Sequence, residues 1–316
     1  MKNLVMQPEF TNFCNFKCNF CPHSVYRSDS VSGNKFDREK GFMSEKLCNL
    51  FVENSNKYAK NVIIGFFGEP LLHPKFEKLV KLFPKKREYS IQLYTNWSLA
   101  TKKNMEVIKA FDGVFISLDS SESDLWEKLC PGGDALNLDG KPSSQRYGTI
   151  KNKLEYWLKL TNRPPTQIVY VVSSLNEHDK EKFTKEWAPK LGLKDTILTK
   201  SVLSYGGVIK DKHMKENSCN VLCGDRFTVA WDGRCTPCNL DVNIGLNVGN
   251  LLKENDVGKI MKSTKWANIM QTIKNKDSIC ANCFDANNWT EHELHRNNKI
   301  KYRLLRIINR SNSSRI

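Results

Sequence analysis

Short apolar runs alternate with stretches of helical periodicity along most of the chain, at nearly even spacing. The runs predict strands over 5–11, 61–67, 90–95, 113–119, 166–173 and 195–200, and the periodic stretches predict helices over 44–58, 75–86, 101–111, 146–160 and 177–191. Ser44, Thr101 and Asn176 stand where a helix N-cap would. Strand then helix, about six times over, is the grammar of an α/β fold with a parallel sheet, in which reactive residues gather at the carboxyl ends of the strands. Six units are too few to close an eight-stranded barrel. Residues 131–145, rich in Gly, Asp, Asn and Ser, exceed an ordinary βα connection and read as an active-site loop. After 201 the pattern changes: Tyr205-Gly206-Gly207 reads as a linker, 227–231 and the residues from Arg234 as a hairpin around Asp232-Gly233, and 257–273 as a helix. The expected division is 1–204, 205–288 and a tail over 289–316.

Composition narrows the class. The 316 residues are 40% hydrophobic and 26% charged, a globular balance that excludes disorder, collagen and coiled coil. The longest strongly apolar stretch, 62–67, falls far short of the roughly 18 residues a membrane span needs, and residues 1–10 lack the basic start and apolar run of a signal peptide. A cytoplasmic chain is expected. Net charge is +15, and seven of the basic residues fall within 296–316, which holds no acid. The excess is thus partly a property of the tail. That tail reads as a solvated helix or, since Ile300, Leu304 and Ile308 recur at helical spacing, as a docking surface for an acidic partner or a membrane.

Cysteine usage changes the picture most. Eleven cysteines in a chain with no export signal are expected to stay reduced, which favours metal ligation or thiol chemistry over disulfides. Nine are clustered, as Cys14, Cys18 and Cys21, then Cys219, Cys223, Cys235, Cys238, Cys280 and Cys283, while Cys48 and Cys130 stand apart. Cys14-x3-Cys18-x2-Cys21 follows the first strand, on a loop over the carboxyl edge of the sheet. Three thiolates fill three corners of an iron–sulfur cluster and leave the fourth open to a substrate. The same donors completed by His23 would suit a zinc ion.

The words CNFKCNFC and, further on, GFFGEPLLHP resemble the radical S-adenosylmethionine (SAM) superfamily, in the triplet spacing and in the aromatic Phe20 before the last cysteine. The resemblance implies a partial (βα)6 TIM-like barrel in which Cys14, Cys18 and Cys21 bind a [4Fe-4S] cluster. SAM would chelate the open iron, and its reductive cleavage would give a 5′-deoxyadenosyl radical that removes a hydrogen atom from the substrate. A reductant such as flavodoxin or ferredoxin is implied as partner. Gly68, Glu69 and Pro70 match the turn that meets the methionine amino group: Gly68 permits close backbone approach, Glu69 can hold neighbouring donors, and Pro70 fixes the turn. Phe67 stands where many members have a first glycine. Thr95 and Asn96 match a strand end of the Thr-Asn-Gly type, with Trp97 in place of the glycine, and Ser117 and Asp119 match a strand that reaches the adenosine ribose or the substrate. Cys130 replaces an arginine found in many members. It reads either as a hydrogen-atom donor to a substrate radical or as a loop cysteine.

Cys238, the pair Cys280 and Cys283, and either Cys219 or Cys223 resemble the auxiliary-cluster module of the same superfamily, with Cys219 preferred as the first ligand. WDGRCTPC and VGNL agree with it. No cysteine follows Cys283, which indicates the shorter twitch form of the SPASM domain, a β-hairpin plus helix holding one [4Fe-4S] cluster and bringing the total to two. Cys235 reads as an apolar hairpin position filled by cysteine, and zinc is the alternative occupant of the module. A cluster with four protein thiolates moves electrons. A substrate carbon that has lost a hydrogen atom still has an electron and a proton to lose on the way to net oxidation, so an electron acceptor beside it fits an oxidase. The first cysteine motif begins at residue 14, which leaves no room ahead of it for a precursor-recognition domain and favours a small substrate, sugar-like or anionic. A peptide maturase of the same chemistry is the second reading. A non-catalytic iron–sulfur or zinc protein whose basic tail binds nucleic acid is the third, against which stands the lack of aromatics interleaved with the basic residues. Asp134, Asp139, Lys141 and Arg146 are candidate bases by position on the long loop.

Overall fold

The computed structural model describes residues 3–25, 36–214, 219 and 224–283. Six parallel strands form the body of the sheet: β1 (Leu4–Pro8), β2 (Ala59–Ile64), β3 (Ser90–Thr95), β4 (Gly113–Ser117), β5 (Thr166–Val172) and β6 (Thr196–Ser201), paired in that order. Alternation along the strands sets the two faces. Ile64, Leu93, Ile116, Ile168 and Ile197 pack outward into the main core beneath the helices. Phe115, Val169 and Leu198 point the other way and, with Tyr94, form a smaller apolar group inside the curved sheet. The result is the expected open partial barrel, mostly parallel and flanked by helices.

The helices follow the expected positions with informative differences. α1 (Glu45–Tyr58) starts at Ser44, whose side chain accepts from the Leu47 amide, and buries Leu47, Phe51 and Val52. α2 (Phe76–Val80) is much shorter than its expected span, since Pro84 cannot continue a helix. α3 (Lys102–Ile108) is capped by Thr101, which accepts from the Asn104 amide. α4 (Ser123–Leu129) has no counterpart among the expected helices; only Trp126 and Leu129 of its seven residues are buried, too few to show a period. α5 (Arg146–Lys159) and α6 (Lys180–Trp187) follow, the latter between two 3₁₀ turns. Asn176 is not a side-chain cap. Its amide instead donates to the carbonyls of Asp119 and Val171, both at 2.9 Å, and ties two strand ends together. The helix expected over 257–273 is two, α7 (Val257–Met261) and α8 (Thr264–Lys274), because Ser263 caps the second by accepting from the Trp266 amide. Within the long loop, residues 135–136 and 142–143 pair as a small antiparallel ribbon.

The C-terminal hairpin is continuous with the barrel. β7 (Arg226–Val229) runs parallel to β1, with Val5 opposite Arg226, and β8 (Arg234–Thr236) and β9 (Gly249–Asn250) extend the sheet antiparallel. Nine strands therefore form one sheet across the division expected at 204/205, and β7 satisfies the backbone edge that β1 would otherwise expose. Gly233 turns the hairpin at φ +89, where a side chain would collide with Asn250. The basic tail over 289–316 and Cys223 lie outside the described residues.

Candidate active site

The loop after β1 is held from both sides. The Lys17 and Asn19 amides donate to the carbonyls of Pro131 and Leu129 at 2.9 and 2.8 Å, and Gly133 lies against Asn15 with no room for a side chain. This fixes Cys14, Cys18 and Cys21 at the carboxyl edge of the sheet. Gly68, at φ +113, lies so close to the backbone of Thr11, Asn12 and Phe13 that any Cβ would collide with it, and the next amide, of Glu69, donates to the Phe13 carbonyl at 2.8 Å. The Glu69 carboxylate then accepts from Thr95 Oγ1 (2.8 Å), the Asn96 amide (2.7 Å) and the Leu71 amide (3.1 Å). One buried side chain thus joins the turn after β2 to the end of β3. Burial pushes its pKa up to about 7, against the pull of those donors and of Lys153. Lys153 itself is buried, its pKa lowered to about 7 by burial, and its Nζ donates to the Ser98 carbonyl at 2.6 Å.

Trp97 keeps the turn that a glycine would ordinarily make. It adopts φ +63, is fully buried, and meets Trp157 edge-on with centroids 5.3 Å apart. Packing of the indole offsets the backbone strain. Asp119 also lies at positive φ, +57, and accepts from the Val171 amide at 2.8 Å. Burial pushes its pKa up to about 7, opposed by that hydrogen bond and by Lys200.

These strand ends enclose a cavity of roughly 280 Å³. Phe20, Gly68, Glu69, Thr95, Asn96, Ser117 and Asp119 all line it, as do Cys14, Cys18, Cys21 and His23. Pro70 does not line it; buried, it opens the 3₁₀ turn Pro70–Leu72 behind Glu69. His23 Nε2 lies 3.0 Å from the Asn12 carbonyl. Cys130 is also on the wall, buried and hydrogen-bonded with Cys18. The candidate bases of the long loop lie elsewhere: Asp139 pairs with Lys141, Arg146 with Glu127, and the Asp134 carbonyl accepts from Asn15. Residues that sequence reasoning missed complete the wall, notably Tyr94, Lys200, Tyr205, Arg226, Asn239 and Leu240. Lys200 had a usable signal, since alternation along β6 turns it inward with Leu198.

The second cysteine set gathers beside α8. Cys219, Cys238 and Cys280 pack with Ile269, Met270 and Ile279, and Cys283 acts electrostatically on both Cys238 and Cys280. Cys235 is apart, fully buried in β8 with Sγ 3.3 Å from the Gly233 carbonyl, and its charged neighbours are Glu254, Asp232 and Lys265. Burial pushes the Cys14 and Cys238 thiols well up and Cys280 to about 11, so each set needs cationic charge to become thiolate. Iron supplies such charge, and both donor sets fit it. Among the described residues no three ligating side chains close to the spacing of a single ion; a cluster, whose thiolates bind different irons, calls for a wider ring. Asn239 and Leu240, directly after Cys238, belong to the cavity wall, although the cysteines of the second set do not line it.

Comparison with known proteins agrees with this geometry. The radical SAM superfamily model matches residues 9–139, and the SPASM model, an iron–sulfur cluster-binding domain, matches 219–284. A probable GTP 3′,8-cyclase of Methanocella arvoryzae is 27% identical over 147 residues, 46% of this chain and 44% of that protein, so the match spans less than half of either. Among solved structures, BtrN in complex with AdoMet and 2-DOIA is 18% identical, with a TM-score of 0.56 over 93% of this chain and 98% of that one. Native anSMEcpe with AdoMet and the Cp18Cys peptide is 14% identical, with a TM-score of 0.59 over 99% of each chain. At these identities the likeness to the solved structures is one of fold.

Proposed function

The chain belongs to the radical SAM superfamily and carries a C-terminal SPASM iron–sulfur domain, and from that premise we propose that it oxidises a small, sugar-like or anionic substrate by hydrogen-atom abstraction. The observation that carries the reading is the single cavity on which the cysteine loop, the Gly68-Glu69 turn, the ends of β3 and β4 and the residues after Cys238 converge. When bound, a [4Fe-4S] cluster and SAM would supply reductive cleavage of the sulfonium carbon–sulfur bond and, through it, removal of a hydrogen atom from the substrate. Cys14, Cys18 and Cys21 would hold that cluster; Cys219, Cys238, Cys280 and Cys283 would hold a second, which would supply a one-electron acceptor.

The chain's other residues position and shield. Glu69 locks the turn, with Thr95 and Asn96 fixing Glu69 in turn, and the turn's backbone carbonyls would receive the methionine amino group. Phe20 packs between the outer core and the inner apolar group and excludes water beside the cysteine loop. Ser117 and Asp119 would meet the ribose or the substrate. A flavodoxin or ferredoxin in the cytoplasm, where the thiols stay reduced, provides the electron that starts each turnover.

BtrN is seen with 2-DOIA and anSMEcpe with a peptide, so the fold admits either kind of substrate. The test is anaerobic reconstitution with iron and sulfide, then dithionite and SAM. About eight irons per chain, as two [4Fe-4S] clusters require, and release of 5′-deoxyadenosine are expected. Stoichiometric zinc without 5′-deoxyadenosine would sink the reading.

A further inference from the structure

Behind the cavity wall, three side chains from two distant segments close a ring. Asn15 Nδ2 donates to Ser98 Oγ (2.8 Å), Ser98 Oγ donates to Asn96 Oδ1 (2.6 Å), and Asn96 Nδ2 donates back to Asn15 Oδ1 (2.9 Å). Within the ring each side chain gives one proton and accepts one, an arrangement in which the bonds strengthen one another. Asn15 stands between the cysteines of the first set, directly after Cys14, and its amide also donates to the Asp134 carbonyl at 2.9 Å. Asn96 passes the ring on to the SAM turn, since its backbone amide donates to Glu69 Oε2 at 2.7 Å. Of the three, only Asn96 lines the cavity.

A buried lysine supports the ring from α5. Lys153 Nζ and the Leu136 amide both donate to the Ser98 carbonyl, at 2.6 and 2.8 Å, and the ammonium attracts the Glu69 carboxylate. Lys153 is 1% exposed, and taking an ammonium out of water is costly even when it is paired. Packing alone calls for an apolar side chain there. What the charge adds is a hold on Ser98 and on Glu69 together.

We propose that Asn15, Ser98 and Lys153 are positioning residues for SAM, which act as one unit through Asn96 and Glu69 and set the SAM turn in register with the cysteine loop. This rests on the radical reading above and adds to it three residues that line no part of the cavity. Removing Asn15 or the Ser98 hydroxyl breaks the ring, and removing the lysine frees the Ser98 carbonyl on one side. The cysteine loop keeps its own anchors at the Leu129 and Pro131 carbonyls, so the cluster ligands stay in place.

The test uses reconstituted holoenzyme, with iron per chain and SAM affinity by titration calorimetry as readouts. Asn15→Ala, Ser98→Ala and Lys153→Met are each expected to keep the wild-type iron content and to weaken SAM about tenfold, the order of one buried hydrogen bond. Ser98→Ala/Lys153→Met should bind SAM within about threefold of the weaker single variant, whereas independent effects would multiply to about a hundredfold. Ser98→Ala deletes one oxygen and keeps the carbonyl, so its cycle with Asn15→Ala decides even where Lys153→Met does not fold. Affinity within about threefold of wild type in the single variants, iron lost in step with SAM affinity, or a multiplied loss in the double variant overturns the proposal. In the SAM-free protein, the Glu69 and Asn96 amides should exchange hydrogen faster in Asn15→Ala and in Ser98→Ala than in wild type, and unchanged exchange overturns it as well. A wild-type enzyme that binds SAM but releases no 5′-deoxyadenosine would sink the radical reading alone, while the affinities and the exchange would still decide on the network.

Discussion

Cys14, Cys18 and Cys238 are half-buried thiols with raised pKa values, through burial at Cys14 and Cys238 and first through the Cys130 hydrogen bond at Cys18, and they would remain protonated without a neighbouring cation. Ligand ionisation and cluster binding are therefore one event, and loss of a ligand has different consequences at the two sites. Cys18→Ala is expected to abolish 5′-deoxyadenosine formation, whereas Cys283→Ala keeps part of it but loses substrate oxidation; equal losses would make the second cluster structural. Glu69 and Asp119 give a pH signature. Their folded pKa values, raised to about 7 by burial, exceed the unfolded values near 4, so their contribution to stability is whole below about pH 4 and is lost as pH rises through about 7. Denaturant unfolding of the SAM-free protein should show stability falling from about pH 5 to 7, by up to about 1.4 kcal/mol per pH unit for each proton. The Glu69→Gln/Asp119→Asn double variant should flatten that slope, and a slope unchanged by it would remove the explanation. The identity of these residues was legible in the sequence; their titration was not, because burial depends on what packs around them.

At the scale of elements, the strands were legible because inward and outward positions alternate and both faces are covered. Their ends were not: β1 stops at Pro8 and β2 at Ile64, and the apolar residues beyond them, Phe10 and Phe67, are buried in loops instead. The turn at Trp97 illustrates how packing overrides local preference. Trp97→Gly would release about 1–3 kcal/mol of backbone strain but lose the roughly 3–5 kcal/mol that truncating a buried tryptophan costs. Urea denaturation is expected to find the variant less stable by about 2 kcal/mol. A more stable variant would mean that the left-handed backbone, not the indole, dominates. α4 was invisible for want of buried positions, yet its C-terminal end supplies the Leu129 carbonyl that anchors the cysteine loop.

Across the whole molecule, the barrel and the cysteine-rich module are joined by more than the shared sheet. Arg38 makes two hydrogen bonds of 2.7 Å to the Glu9 carboxylate, both side chains fully buried, and a third of 2.6 Å to the Val242 carbonyl. Gly41 lies flat against the Trp231 ring, where a side chain would collide. Removing one partner of a buried pair strands the other charge, so Arg38→Met is expected to cost about 3–5 kcal/mol. The double variant Glu9→Gln/Arg38→Met should recover part of that loss, and iron content should fall at both clusters in the single variant, because the clamp ties the segment after the first cysteine loop to the module of the second. A single-variant cost below about 1 kcal/mol, the range of a surface pair, would show that water reaches the pair.

The sequence by itself determined the chemistry of the ligands and the order of strands and helices, since cysteine spacing and apolar period are local properties that survive without knowing the neighbours. It could not determine which polar residues share a space. Lys200 and Arg226 are 26 positions apart, and neither is near Glu69 in the chain. They line one cavity because β7 returns to pair with β1 and because curvature of the sheet turns one side of every strand inward. Those are long-range pairings, fixed by the burial of whole faces, and with them come the meeting of acids and cations in one site and the pKa values of those groups.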